Sequence, residues 1–128
     1  MSSNKFLYPY WGSESEPIAS FIENTIANGF DGIEIHIPDN ELFEDELCRV
    51  LENTRKLHPN FMVVAQQVLG VKKESPSEYL WKVMNRLGDL QRFKPDFINS
   101  HTGKDHYSFE DNCHIIEAIE DFSRTSNI

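Results

Sequence analysis

The segment Asp31-Gly32-Ile33-Glu34-Ile35-His36-Ile37-Pro38 constrains the fold more than any other part of the chain. Ile33, Ile35 and Ile37 alternate with Glu34 and His36. At a side-chain period of two, three β-branched residues fall on one face of a strand and two ionisable ones on the other. Gly29 and the Asp31-Gly32 pair ahead of it are helix-stop and turn signals, and Pro38 ends the run. A half-buried antiparallel strand would show the same alternation, so the flanking segments decide what this strand belongs to.

Phe6-Leu7-Tyr8-Pro9-Tyr10-Trp11, closed by Gly12, reads as a first strand, and Pro9 suits an edge because it donates no ladder hydrogen bond. Ser15-Glu16-Pro17 reads as a helix start capped by Ser15, with Ile18, Phe21, Ile22 and Ile26 as its apolar stripe. After the second strand, Asp39 or Asn40 can cap a helix that buries Leu47, Val50 and Leu51 and leaves Glu41, Glu44, Asp45 and Glu52 in solvent. Phe61-Met62-Val63-Val64-Ala65 is continuously apolar, which predicts a strand covered on both faces, with Gln66 and Gln67 at its end. Ser75-Pro76-Ser77-Glu78 opens a third helix with the stripe Leu80, Val83, Met84, Leu87 and Leu90. Phe97-Ile98-Asn99-Ser100 is a fourth strand, and Ser108 with Asp111 caps a last helix bearing Ile115, Ile116, Ile119 and Phe122.

The order is strand then helix, four times, with strand starts separated by roughly 25 to 35 residues, the length of a βα unit with its loops. Such alternation predicts an α/β fold with a parallel sheet and right-handed crossovers. A doubly wound sheet places helices on both faces. A (βα) barrel keeps them on one face and tolerates polar residues on the other near the strands' carboxyl ends. Glu34 and His36 favour the barrel.

Composition bounds the rest. A chain of 128 residues, 39% hydrophobic, suffices for a single domain over 1–128. A formal charge of −9 argues against nucleic acid, whose binding draws on clustered Lys and Arg. No apolar run approaches the ~20 residues that cross a bilayer, and the first residues lack the apolar core of a secretion signal, so a soluble cytoplasmic protein with no membrane partner is expected. Cys48 and Cys113 show no metal or Cys-x-x-Cys spacing and are expected to fill core space.

In a parallel architecture chemistry collects at the strands' carboxyl ends. Those ends carry Tyr10, Trp11, Ser13 and Glu14; Glu34 and His36; Gln66 and Gln67; and His101, Lys104, Asp105 and His106. Histidine and carboxylate side chains converging from different strands can move protons or hold a divalent metal such as Mn, Zn, Mg or Co, which makes His36 and His101 candidate ligands. Tyr10, Trp11, His36, Gln66 and Lys104 are candidate substrate contacts. No Gly-rich phosphate cradle, Gly-x-Ser-x-Gly elbow or His-Glu-x-x-His helix is present in the sequence.

Gly29-Phe30-Asp31-Gly32-Ile33-Glu34-Ile35 resembles the second-strand signature of the xylose isomerase-like barrels, which include sugar-phosphate isomerases and epimerases and an abasic-site endonuclease type. Ile98-Asn99-Ser100-His101-Thr102-Gly103 resembles the fourth-strand motif of that family. The resemblance implies a barrel whose active-site mouth is lined by Glu34 and His101, with His36 and Tyr10 near a sugar or sugar-phosphate substrate. Family members are complete eight-unit barrels and take metal ligands from later strands, whereas four units give half a (βα)8 TIM barrel. A half barrel leaves a sheet face and two edges open, and a second copy would close them as a homodimer. The readings left open are a metal-dependent isomerase or epimerase with Glu34 and His101 as catalytic residues, a catalytically inactive half-barrel scaffold, and a flavodoxin-like binding domain.

Overall fold

Gly29 is where the first βα unit turns back into the sheet. With φ at +81° it takes a conformation that favours glycine. Its N–H donates to Ile26 O and that of Phe30 to Thr25 O, the paired bonds of a Schellman stop. The computed structural model describes residues 4–68 and 73–128. Its elements in chain order are β1 (Leu7–Pro9), α1 (Ile18–Ala27), β2 (Gly32–Ile35), α2 (Glu41–Leu57), β3 (Met62–Gln67), α3 (Pro76–Leu90) followed by a 3-10 turn (Gln91–Phe93), β4 (Phe97–Ser100) and α4 (Phe109–Ser126).

The four strands form one parallel sheet in the order β1-β2-β3-β4. A doubly wound sheet requires the order to reverse at a switch point, and here it does not. Ile33, Ile35, Ile37, Val63 and Ala65 point to one side of the sheet and share a core with Ile18, Phe21 and Ile22 of α1, Leu47, Val50 and Leu51 of α2, Leu90 at the end of α3 and Phe93 in the turn after it. Tyr79, Val83 and Leu87 of α3 form a second cluster with Tyr107 and Ile115, and Ile98 of β4 packs against both clusters. The helices thus cover one face.

Local chemistry explains most boundaries. Asn40 caps α2, its side chain accepting from Phe43 N at 3.1 Å. Ser75 and Ser108 do the same for α3 and α4, accepting from Glu78 N at 3.2 Å and Asp111 N at 3.1 Å. Gly32 permits the close approach of β2 and β3: a Cβ there would lie 2.0 Å from Met62 O.

Several expectations are corrected. Pro17, not Ser15, precedes the first turn of α1, with no side-chain cap bond. Thr25 joins the buried side of that helix by donating its hydroxyl to Phe21 O at 2.8 Å. β3 is covered on one face only: Val63 and Ala65 are buried, whereas Met62 and Val64 are half-buried on the open side. Glu44 does not stay in solvent, since it pairs with Arg86 at 3.5 Å. In α4 only Ile115 is buried, and Ile116 is exposed. Cys48 and Cys113 are both half-buried, and only Cys48 packs against the core.

Candidate functional site

The open face of the sheet has an order of its own. Parallel register aligns Pro9, Glu34, Val64 and Phe97 in one row, with Gln66 and Asn99 paired in the next row toward the carboxyl ends. Leu7 and Met62 lie in the row below, so Glu34 is the one polar side chain among apolar neighbours in its own row. Gln66 and Asn99, followed by His36 and His101 beyond the strand ends, make the carboxyl end polar. Phe97 is 59% exposed, a large apolar ring left on an uncovered sheet.

Glu34 is the centre of the polar cluster. Its Oε1 accepts from Gln66 Nε2 at 2.8 Å and from Asn99 Nδ2 at 3.5 Å, so one carboxylate is held by amides from two neighbouring strands. Among the described residues no donor reaches Oε2. A carboxylate with one oxygen anchored and the other facing open space can take up a proton or accept from a ligand hydroxyl.

His36 follows on the same face. The surrounding protein, and secondly the Arg86 guanidinium, hold its imidazole below the ordinary histidine pKa, so the ring is neutral at neutral pH. Arg86 is 9% exposed and lies beneath the end of β2, donating to Ile37 O and pairing with Glu44. It falls at a stripe position of α3, in the series Tyr79, Val83, Arg86, Leu90, and that 4-3-4 spacing was the signal of its burial.

His101 is exposed, and its N–H donates to Gln67 O at 2.9 Å. The loop that carries it is pinned from the helix side. Gly103 N donates to Tyr79 Oη at 3.2 Å, and Asn112 clasps Lys104, accepting from its N–H at 3.2 Å and donating to its carbonyl at 3.0 Å. Gly103 has φ of +128°, and a Cβ there would strike the Asn112 side chain at 2.2 Å. Lys104 Nζ lies 5.5 Å from the centre of the Tyr79 ring. Tyr79 and Asn112 escaped sequence reading because a Tyr and an Asn on helices carry no motif.

The other candidates are placed differently. Tyr10 is buried on the helix side among Phe21 and Phe43, and its hydroxyl donates to Glu16 O at 2.9 Å. Burial first, and Glu14 and Glu16 after it, raise its pKa. It supports the rim and does not face the open sheet. Trp11 stands exposed in the following turn, where both Glu14 carboxylate oxygens accept from Gly12 N at 2.9 and 3.0 Å. Gln67 is buried on the helix side, donating to Ser100 Oγ at 3.0 Å and His101 O at 3.1 Å. The structure therefore brings together Glu34, Gln66 and Asn99, and Asn99 joins the site through strand register, which the sequence alone does not show.

Among the described residues, no group of three or more His, Cys, Asp or Glu is placed to hold a metal ion. His36 and His101 do not complete such a set with Glu34, and a metal here would need ligands from beyond them. No helix among the described residues is long and apolar enough to cross a membrane. No protein-family model and no curated protein matches the chain.

Proposed function

We propose that this chain is one half of a (βα)8 barrel of the xylose isomerase-like kind, closed by a second copy, and that it binds a sugar or sugar phosphate at the polar side chains of its open sheet face for isomerase- or epimerase-type chemistry. The observation that carries the reading is the Glu34 carboxylate, held through one oxygen by Gln66 and Asn99 on the open side of the sheet. In (βα)8 barrels the site lies at the carboxyl ends of the strands, where Gln66 and Asn99 stand here. Carboxylate and amide groups side by side offer the acceptors and donors that a polyhydroxylated ligand needs.

In this reading Glu34 takes a proton from the carbon next to the ligand's carbonyl and returns it to the carbonyl carbon, while the hydroxyl proton passes from the first carbon's oxygen to the former carbonyl oxygen; Gln66 and Asn99 fix the carboxylate. His36, neutral at neutral pH, can donate to or accept from a ligand oxygen, and His101 can polarise one from the loop.

The test is NMR-observed binding of a panel of aldose and ketose phosphates, with solvent deuterium incorporation next to the carbonyl as the readout of chemistry. Binding with deuterium uptake that Glu34→Gln abolishes supports the enzyme. Light scattering reports the second copy. That the described residues complete no metal-ligand set favours a second reading, a non-catalytic half barrel that still binds the ligand. It predicts binding without deuterium uptake.

A further inference from the structure

α4 overhangs the edge of the sheet. Ile116 is 47% exposed, although it belongs to the same stripe as Ile119 and Phe122. Between that stripe, Leu87 of α3 and Ile98 of β4 runs an apolar groove of about 320 Å³ along the free edge of β4, on the helix side. In a longer sheet the helix-facing side chains of the next strand would fill it.

The opposite edge presents what such a groove lacks. Tyr8 of β1 points to the helix side, its ring edge-on to Phe21 at 5.4 Å and to Phe30 at 4.8 Å, yet it remains 37% exposed. Phe6, two residues earlier and so on the same side, is 64% exposed. One edge therefore carries an aromatic ridge and the other an apolar groove, both in the helix layer.

Area decides that the two belong together. The sheet's strands of 3, 4, 6 and 4 residues, at a rise of about 3.3 Å per residue and a spacing of about 4.8 Å, give its open face a footprint of roughly 270 Å². A stable interface takes about 800 Å² from each partner. The sheet face alone falls short by about two thirds, so a stable pair must also bury its edges and outer layer.

We infer that the groove beside α4 seats the first strand of a second copy, with that copy's Phe6 and Tyr8 packed against Ile98, Ile116 and Phe122. The inference rests on the reading that two copies close one barrel. Two-fold symmetry makes the contact twice, β1 of each chain beside β4 of the other, which is how an isologous pair leaves no open edge.

The experiment has two parts, both on the full chain. Sedimentation and light scattering compare the parent with Ile116→Glu and, on the other surface, Phe6→Asp; each is expected to weaken the dimer about a hundredfold with helical circular dichroism unchanged. Next, with Cys48→Ala and Cys113→Ala as background, chains carrying Phe6→Cys are mixed with chains carrying Ile116→Cys and treated with a short bis-maleimide. Covalent dimers are expected from the mixture and from neither chain alone, because two-fold symmetry sets like residues on opposite seams. A dimer indifferent to both charged substitutions, or cross-linked by Phe6→Cys alone, overturns the groove assignment and leaves the closed barrel standing. A parent chain that stays monomeric at all concentrations overturns both.

Discussion

Asp31 and Asp96 form the same clasp at two places in the sheet. Asp31 Oδ2 accepts from Phe6 N at 2.8 Å while Asp31 N donates to Phe6 O at 2.8 Å. Asp96 repeats this on Val63, again at 2.8 Å both ways. Each aspartate stands just before a strand and ties it to the start of the preceding one, but the two differ in exposure: the Asp31 bond is open to solvent, the Asp96 bond half-buried. Hydrogen bonds to charged groups contribute about 1.5–3 kcal/mol, with solvent-exposed ones at or below the low end. Asp96→Ala should therefore cost about 2 kcal/mol in urea unfolding and Asp31→Ala about 1 kcal/mol; equal losses would mean that burial does not govern the clasp. His36 adds a pH dependence of known sign. Its folded pKa lies below the ordinary value of about 6.5, through partial burial and Arg86, so in the interval between the two the unfolded chain binds the extra proton. Stability must fall as pH drops through that interval and level off above it. NMR titration of the His36 ring should show a midpoint below that of free histidine, and His36→Gln should flatten this part of the stability profile.

The elements depend on glycines of opposite kinds. Gly32 opens β2 against the Met62 carbonyl, which leaves no room for a Cβ and has only backbone to give way. Gly32→Ala should cost about 3 kcal/mol, the upper range of overpacking. Gly88, on the exposed side of α3, has no atom within 4 Å of an added Cβ, so Gly88→Ala should raise stability by about 0.5–1 kcal/mol through the lost freedom of the unfolded chain. Chemical denaturation of the pair reads both signs, and a stabilised Gly32→Ala would show that the strands do not approach as described. Helices and strand order were legible because each stripe repeats at its own period and each cap at Asn40, Ser75 and Ser108 is a local signal. Glu34 and His36 were legible as a polar face for the same reason. The one-sided cover of β3 was not: Met62 and Val64 are as apolar as Val63 and Ala65, and only the sheet's position in space distinguishes them. The Glu34–Gln66–Asn99 contact likewise depends on the register of three strands, and the burial of Glu44 on an arginine 42 positions further along, at residue 86.

For the molecule as a whole, charge and open surface pull in opposite directions. Each chain carries a formal −9, so two copies brought together would repel, while the apolar residues of the open sheet face, the groove beside α4 and the outer strand edges would favour contact. Repulsion between exposed charges is screened over a Debye length of about 30 Å at 0.01 M salt and about 8 Å at 0.15 M, whereas burial of apolar surface and backbone pairing are scarcely weakened by salt in that range. The two terms thus separate on one axis. If the pair forms through the sheet edges and the groove, its dissociation constant should fall as sodium chloride rises from low to physiological strength, by about tenfold for a repulsion near 1.4 kcal/mol. Sedimentation at a series of salt concentrations measures it directly. An association that weakens with added salt would place attractive ion pairs at the contact, and the apolar seam would then not be what holds two copies together.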